Sequence, residues 1–308
     1  MAGGTERALR RRIRSVQSTK KITRAFELIA ASQIVRAQNR IAANRPFRQG
    51  MARIVLEAAE GGPGAEKLIG TPEDPKQVAI VAIVGDRGLS GPYNSSVLRA
   101  TESLVIEHRR RDADVRLVTV GRKAVAYFRF RGRDVTESFI GMSDRPSFAD
   151  ARRVAAELWH RFDADEVDLV QLVSTRYLSA GRQNVETVQL LPLPDPTGAK
   201  GAEGETPERA PTDAEARGGY TEFEPDVETL VAILMPRALE SEVFSALLEA
   251  SASEHAARQR AMAAATENAD ELVQLLSRTM NRARQDAITN EIMEIVGGAE
   301  ALRTAKGA

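Results

Sequence analysis

The sequence predicts an α/β fold joined to a long coiled coil. Antiparallel N- and C-terminal helices form an elongated rod, and a small Rossmann-like, largely parallel α/β domain lies between them. Three observations carry this reading. Residues 5–60 hold a heptad-like apolar seam with few helix breakers. Residues 225–296 contain no glycine. Between these ends, short β-rich apolar runs alternate with helical segments, as in strands joined by crossover helices. The expected organisation is a rod helix over 1–60, a linker over 61–75, the α/β domain over 76–194, a spacer over 195–222 and a second rod helix over 223–308.

The N-terminal helix follows from spacing. Leu9, Ile13, Val16, Thr23, Ala30, Ile34, Ala37 and Ile41 recur at steps of three and four, with one double step on either side of Thr23. A second stripe of Ile22, Phe26 and Ile29 lies on a neighbouring face, so the helix touches partners on more than one side. From Thr5 onward only Pro46 and Gly50 interrupt it, and the run Gly61-Gly-Pro-Gly64 stops it.

The C-terminal helix starts at Pro225-Asp226, with an acidic first turn. Pro236 predicts a kink or boundary. Without other breakers the segment reaches on the order of 100 Å at 1.5 Å per residue, too long for a compact domain to bury. Ala250 to Ala269 is alanine-rich, which lets helix backbones approach closely. Leu272, Leu276, Met280, Ala283 and Ala287 form another seam, and Ile288, Ile292 and Ile295 form an apolar tip before Gly297-Gly298.

In the middle, Gln77–Val84, Val115–Val120, Asp168–Ser174 and Val185–Leu193 read as strands, while Ser96–Arg111 and Ser147–Phe162 read as helices. The stretch 195–219 is rich in Pro, Gly, Glu, Thr and Ala, the composition of a flexible spacer.

Composition sets bounds on chemistry. No apolar run is long enough to span a bilayer, and the arginines of the N-terminus precede no apolar core, so no secretory signal is read. Cysteine is absent, which removes disulfides, thiolate metal sites and cysteine nucleophiles. The net charge of zero hides an asymmetry. Residues 1–53 carry thirteen Lys or Arg against Glu6 and Glu27, a local excess of +11. Such a patch points to an anionic partner: an acidic protein surface, nucleic acid or anionic lipid.

Candidate catalytic chemistry is thin. Gly85-Asp-Arg-Gly-Leu-Ser-Gly91 follows a strand and precedes a helix, but it fits neither phosphate-loop spacing and holds no lysine. A tight turn that exposes Arg87 to a partner is the better reading. His108, His160 and His255 share no ligand spacing, and the acidic run Asp163, Asp165, Glu166, Asp168 lacks a calcium-loop pattern. No cofactor, metal site or catalytic residue is read from the sequence. Nucleic-acid binding is disfavoured because Phe26 and Phe47 are the only aromatics in the basic helix.

Several separated motifs resemble one family in order along nearly the whole chain. Ser18-Thr-Lys-Lys-Ile-Thr-Arg-Ala-Phe-Glu-Leu-Ile-Ala-Ala-Ser32 is similar to the N-terminal rod of the gamma subunit of F-type ATP synthases. Asp86-Arg-Gly-Leu-Ser-Gly91, Leu190-Leu-Pro-Leu-Pro194 and Phe223-Glu-Pro-Asp226 resemble its middle landmarks. Glu254-His-Ala-Ala-Arg258, Met262-Ala-Ala-Ala-Thr-Glu-Asn268, Asn281–Ile292 and Glu294–Ala299 resemble its C-terminal rod.

The resemblance implies a non-catalytic rotor. The paired helices would turn inside a ring of alpha and beta subunits, and the foot would grip the epsilon subunit and the membrane c-ring at the cytoplasmic face of a bacterial plasma membrane. It also implies contacts. Lys20, Lys21, Arg24 and Phe26 would face an acidic loop on beta, with Arg87 a candidate contact in the same region. Glu254, Arg258, Arg284, Gln285 and Thr289 would touch the catch regions of beta, and Phe223 and Glu224 the c-ring foot. Ser90 stands where the family usually has Cys, Phe26 replaces a common Met, and the spacer is longer than usual.

Overall fold

The computed structural model describes residues 2–60, 69–194 and 227–306. In chain order, the elements among these residues are α1 (Ala2–Glu60), β1 (Gln77–Ile83), α2 (Tyr93–Arg110), β2 (Asp114–Val120), α3 (Arg122–Phe130), β3 (Glu137–Phe139), α4 (Phe148–Asp163), β4 (Leu169–Tyr177), β5 (Gln183–Leu191) and α5 (Val227–Lys306). The chain divides into two compact units, Met1–Ala30 with Arg258–Ala308, and Ala31–Ala257. Part of the expected linker, residues 61–68, and all of the expected spacer lie outside the described residues.

The larger unit is built on a five-stranded sheet in the order β3-β2-β1-β4-β5. β1 pairs parallel with β2 and β4, β2 pairs parallel with β3, and β5 closes the far edge antiparallel to β4. Alternate residues of β1 feed two separate cores, which is why its sequence is an unbroken apolar run instead of an alternating one. On one face Val78, Ile80, Ala82 and Val84 pack with Val97, Leu98 and Val105 of α2 and with Ala124 and Phe128 of α3. On the other face Ala79, Val81 and Ile83 pack with Val154, Ala155 and Leu158 of α4, Val55 of α1, and Met235, Leu239, Val243 and Leu247 of α5. The end of α1 and the beginning of α5 thus form part of the domain's own core.

α4 begins with a capping box. Ser147 accepts from the Asp150 amide, and the Asp150 carboxylate accepts from the Ser147 amide. The short α3 and β3 were absent from the sequence expectation. α3 starts at Gly121, whose φ of +100 favours glycine and whose missing side chain lets the Val84 carbonyl approach.

In the smaller unit the start of α1 and the end of α5 run antiparallel. Thr23 meets Thr266 through their hydroxyls at 2.8 Å, and one turn away Lys20 pairs with Asp270 at 2.6 Å. Ile13, Ala30, Met262, Ala269 and Leu276 are buried. The sequence seam marks the inward positions of this stretch: Leu9, Val16 and Thr23 are all partly covered. Its two double steps fall on Lys20 and Glu27, charged residues that are partly covered as well.

α5 differs from expectation at Pro236, where no boundary falls. It continues through Pro236, where Met235, Ala238 and Leu239 are buried and their packing holds the helix together across the lost hydrogen bond. It runs past Gly297-Gly298 to Lys306, within the rod helix expected over 223–308.

Candidate partner-binding surfaces

The basic start of α1 presents less free charge than its composition suggests. Lys20 spends its ammonium on Asp270, and Arg24 bonds Glu27 at 2.7 Å. Arg24 and Glu27 also line a cleft with Thr266, Glu267, Asp270 and Glu271. Carboxylates of the same chain therefore already answer part of the excess. Lys21 is exposed, and Phe26 is 40% exposed beside Ile22 and Ile29, so an apolar stripe stands open next to the cations.

Near the other end of the pair, Arg284, Gln285 and Thr289 are exposed. Every residue from Ile288 to Ala299 is exposed, among them Ile292, Met293 and Val296, with Ile295 at 67%. Clustered exposed apolar side chains of this size mark a contact surface.

The loop after β1 is fixed from all sides. The Asp86 carboxylate accepts from the amides of Arg122 at 3.0 Å, Gly141 at 3.0 Å and Ser143 at 3.2 Å, and the Asp86 amide donates to the Ser143 hydroxyl. Burial alone would push this carboxyl up, but the donors from Gly141, Arg122 and Ser143 outweigh it and hold the group below its ordinary value. Since Gly121 offers no side chain at the start of α3, Asp86 satisfies that helix end from a distance. Asn94 accepts from the Gly85 amide and donates to the Arg87 carbonyl and to Ser90. With Asp86 and its own carbonyl held, Arg87 is turned out to solvent. Leu89 sits beside it, 62% exposed at a φ of +64 that branched side chains seldom adopt. Its strained, displayed position was not foreseen from the sequence; the surrounding glycines were the available signal.

The carboxyl ends of β1 and β4 form the crevice where strand order reverses, the usual ligand position of an open α/β sheet. Here α5 fills it. The side chain of Glu254 lies under Gly85 so closely that a Cβ there would come 2.8 Å from its carboxyl carbon. Ser253 donates to the Thr175 carbonyl, and Ser251 donates to the Asp144 carbonyl. His255 Nε2 lies 3.2 Å from the same Asp144 oxygen. A nucleotide phosphate entering this crevice would meet a buried carboxylate, so the arrangement favours intramolecular docking over nucleotide binding.

Glu254 and Arg258, expected as partner contacts, are covered by their own chain. They are 2% and 8% exposed, within a run from Ala250 to Arg258 in which every residue is buried. Phe223 and Glu224 lie outside the described residues. The remaining candidates are not one site: Lys20, Lys21, Arg24 and Phe26 sit on α1, Arg284, Gln285 and Thr289 on α5, and Arg87 on the loop after β1.

Comparison with known proteins decides the family. A family model described as ATP synthase matches residues 5–302. The ATP synthase gamma chain of Parafrankia sp. is 45% identical over 303 residues, covering 97% of this chain and 98% of that one. The chain belongs to the ATP synthase gamma chain family. The gamma chain of Streptomyces coelicolor is 41% identical over 307 residues, covering 98% of each. Among solved structures, a chain of the Euglena gracilis mitochondrial ATP synthase matches with a TM-score of 0.66 at 20% identity, over 99% of this chain and 97% of that one. A chain from the central stalk and c-ring of the Tetrahymena thermophila enzyme matches with a TM-score of 0.60 at 23% identity, over 79% and 99%. These two likenesses bear on fold alone. Within this gamma chain, Ser90 is buried and its hydroxyl accepts from Asn94, so the position serves the loop's internal network.

Proposed function

We propose that this chain is the central rotor of an ATP synthase, a non-catalytic subunit on the cytoplasmic face of a bacterial plasma membrane. Proton flow through a membrane c-ring turns it, and its turning changes the conformations of catalytic beta subunits in an alpha/beta ring. The observation that carries the reading is the antiparallel helix pair in a member of the gamma chain family, with an apolar end of α5 exposed among the described residues. A shaft of this kind needs stiffness, which a pair of helices supplies better than one. It also needs unequal faces, because a ligand shifts a partner's states only through unequal contacts. The basic and apolar faces described above provide that inequality.

In this reading Lys21, Arg24 and Phe26 meet an acidic region of beta, while Arg284, Gln285 and Thr289 meet beta nearer the end of the shaft. Arg87 is displayed to the same ring. Epsilon and the c-ring bind the foot, including Phe223 and Glu224.

The test is purification of the chain from its host membrane with its stoichiometric companions, followed by charge reversal at Lys21 and Arg24. Each exposed pair is worth up to ~1 kcal/mol, so reversing two residues, about 2 kcal/mol at most, should lower ATP-driven proton pumping by up to about thirtyfold while the assembly is recovered intact. Purification without an alpha/beta ring, or pumping unchanged by both reversals, would contradict the assignment.

A further inference from the structure

We infer that Ser251, Ser253, Glu254 and His255 form the torque-bearing joint between α5 and the α/β domain, with Glu254 as its key; this deepens the rotor reading and rests on it.

The load on such a joint is rotational. Hydrophobic packing is non-directional, so it resists separation of a helix from a sheet far more than it resists rolling or sliding. The core shared by α5 and the sheet is of this kind: Met235, Leu239, Val243 and Leu247 against Val81 and Ile83. In the chain, β5 and α5 are separated by residues 192–226, so load passing between them has no short covalent path. Something directional must stop α5 from turning about its own axis.

The crevice contacts have that property. Ser251 and His255 stand four residues apart on one face of the helix, and both meet the Asp144 carbonyl. Ser253 lies roughly 200° around the helix from Ser251 at 3.6 residues per turn and bonds the Thr175 carbonyl at the end of β4. Glu254 points a further ~100° round and sits beneath Gly85 at the end of β1. Three directions of contact within five residues prevent rolling in either sense. The Gly85 contact is a fitted one, because any side chain there would occupy the volume of the Glu254 carboxyl group. The crevice that other open sheets use for a ligand is used here to hold a segment of the same chain.

The chain has no cysteine, so a disulfide can be introduced without background. The test uses the whole synthase in inverted membrane vesicles and reads protons pumped per ATP hydrolysed. Gly85→Cys with Glu254→Cys removes the carboxylate key. Reduced, this variant is expected to lose pumping per ATP severalfold while ATP hydrolysis by the ring continues. Oxidised, the new bond replaces the key and pumping per ATP should return towards the parent value. Glu254→Gln keeps the shape and should stay close to the parent, which a role resting on charge alone would not allow.

The proposal is overturned if the reduced variant pumps as well as the parent, if oxidation brings no recovery, or if the two cysteines fail to bond, since that would mean the positions are not held together. A variant that does not assemble when reduced but assembles and pumps when oxidised supports it; one that assembles in neither state counts against it. Vesicles lacking the chain separate the two levels of inference. If they pump normally the rotor reading fails, whereas pumping that needs the chain but ignores the joint rejects the joint alone.

Discussion

Replacing Gly121 by alanine should be among the most damaging single-methyl changes in this chain. A Cβ at that position would lie 2.2 Å from the Val84 carbonyl oxygen, 2.8 Å from its carbon and 3.1 Å from the Gly85 oxygen. All three are backbone atoms and cannot swing aside. The residue also holds φ at +100 with ψ at 137, a sparsely populated region outside glycine that costs an alanine about 1–3 kcal/mol. Gly141 provides the matched control, since its φ is +85 but a Cβ there meets nothing within 4 Å. Gly141→Ala should therefore cost about 1 kcal/mol and Gly121→Ala about 3 kcal/mol or more, the difference being the displaced strand end. Trp159 is the chain's single tryptophan and packs against the core below β1, so its fluorescence reports this domain without labelling. At a urea dependence of about 2 kcal/mol per molar, the two alanine variants should differ by ~1 M in midpoint. Equal midpoints for the two would refute the claim that backbone crowding at Gly121 matters, leaving only the shared dihedral strain.

Other expectations follow from the same geometry. Ser147→Ala removes one arm of the capping box on α4 and should lower stability by about 1 kcal/mol in the same urea titration, with Ser147→Asp largely retaining it. Asp86 has a folded pKa below its unfolded one, so its contribution is complete above the ordinary Asp value near pH ~4 and is lost as pH falls through the folded value. The stability gap between the parent and Asp86→Asn should therefore be widest at neutral pH and shrink as the solution is made more acidic than the ordinary Asp value; a gap independent of pH would show that the carboxylate's charge is unimportant.

Much of this architecture was legible because periodicity is a property of the chain. The seam from Leu9 to Ala37 and that from Leu272 to Ala287 mark covered positions in the structure, and the apolar run of β1 marks a strand buried on both faces. Short elements were not legible. α3 has nine residues and β3 has three, too few for a period to rise above chance, and both are held by neighbours far off in sequence, such as Asp86 and β2.

The site was harder to read, because a charge in sequence carries no label for where it points. Glu254, His255 and Arg258 look like a solvated polar face, yet they are buried. The signal available was their setting among Ala250, Ala252, Ala256 and Ala257, small residues on every side, which marks a helix enclosed all round. Likewise the excess of +11 in residues 1–53 overstated the free charge, because Asp270 lies in a segment remote in sequence and close in space to Lys20.

Rotation of this chain inside an assembled synthase is the central claim, and it can be watched directly. Phe130 is 88% exposed, so Phe130→Cys offers a single attachment point for a visible bead on a chain with no other thiol. With the catalytic ring fixed to a surface, the account predicts that the bead turns continuously in one direction when ATP is added and stops when it is consumed. A bead that stays still, or only jitters about one position, while the same immobilised complexes hydrolyse ATP would contradict it.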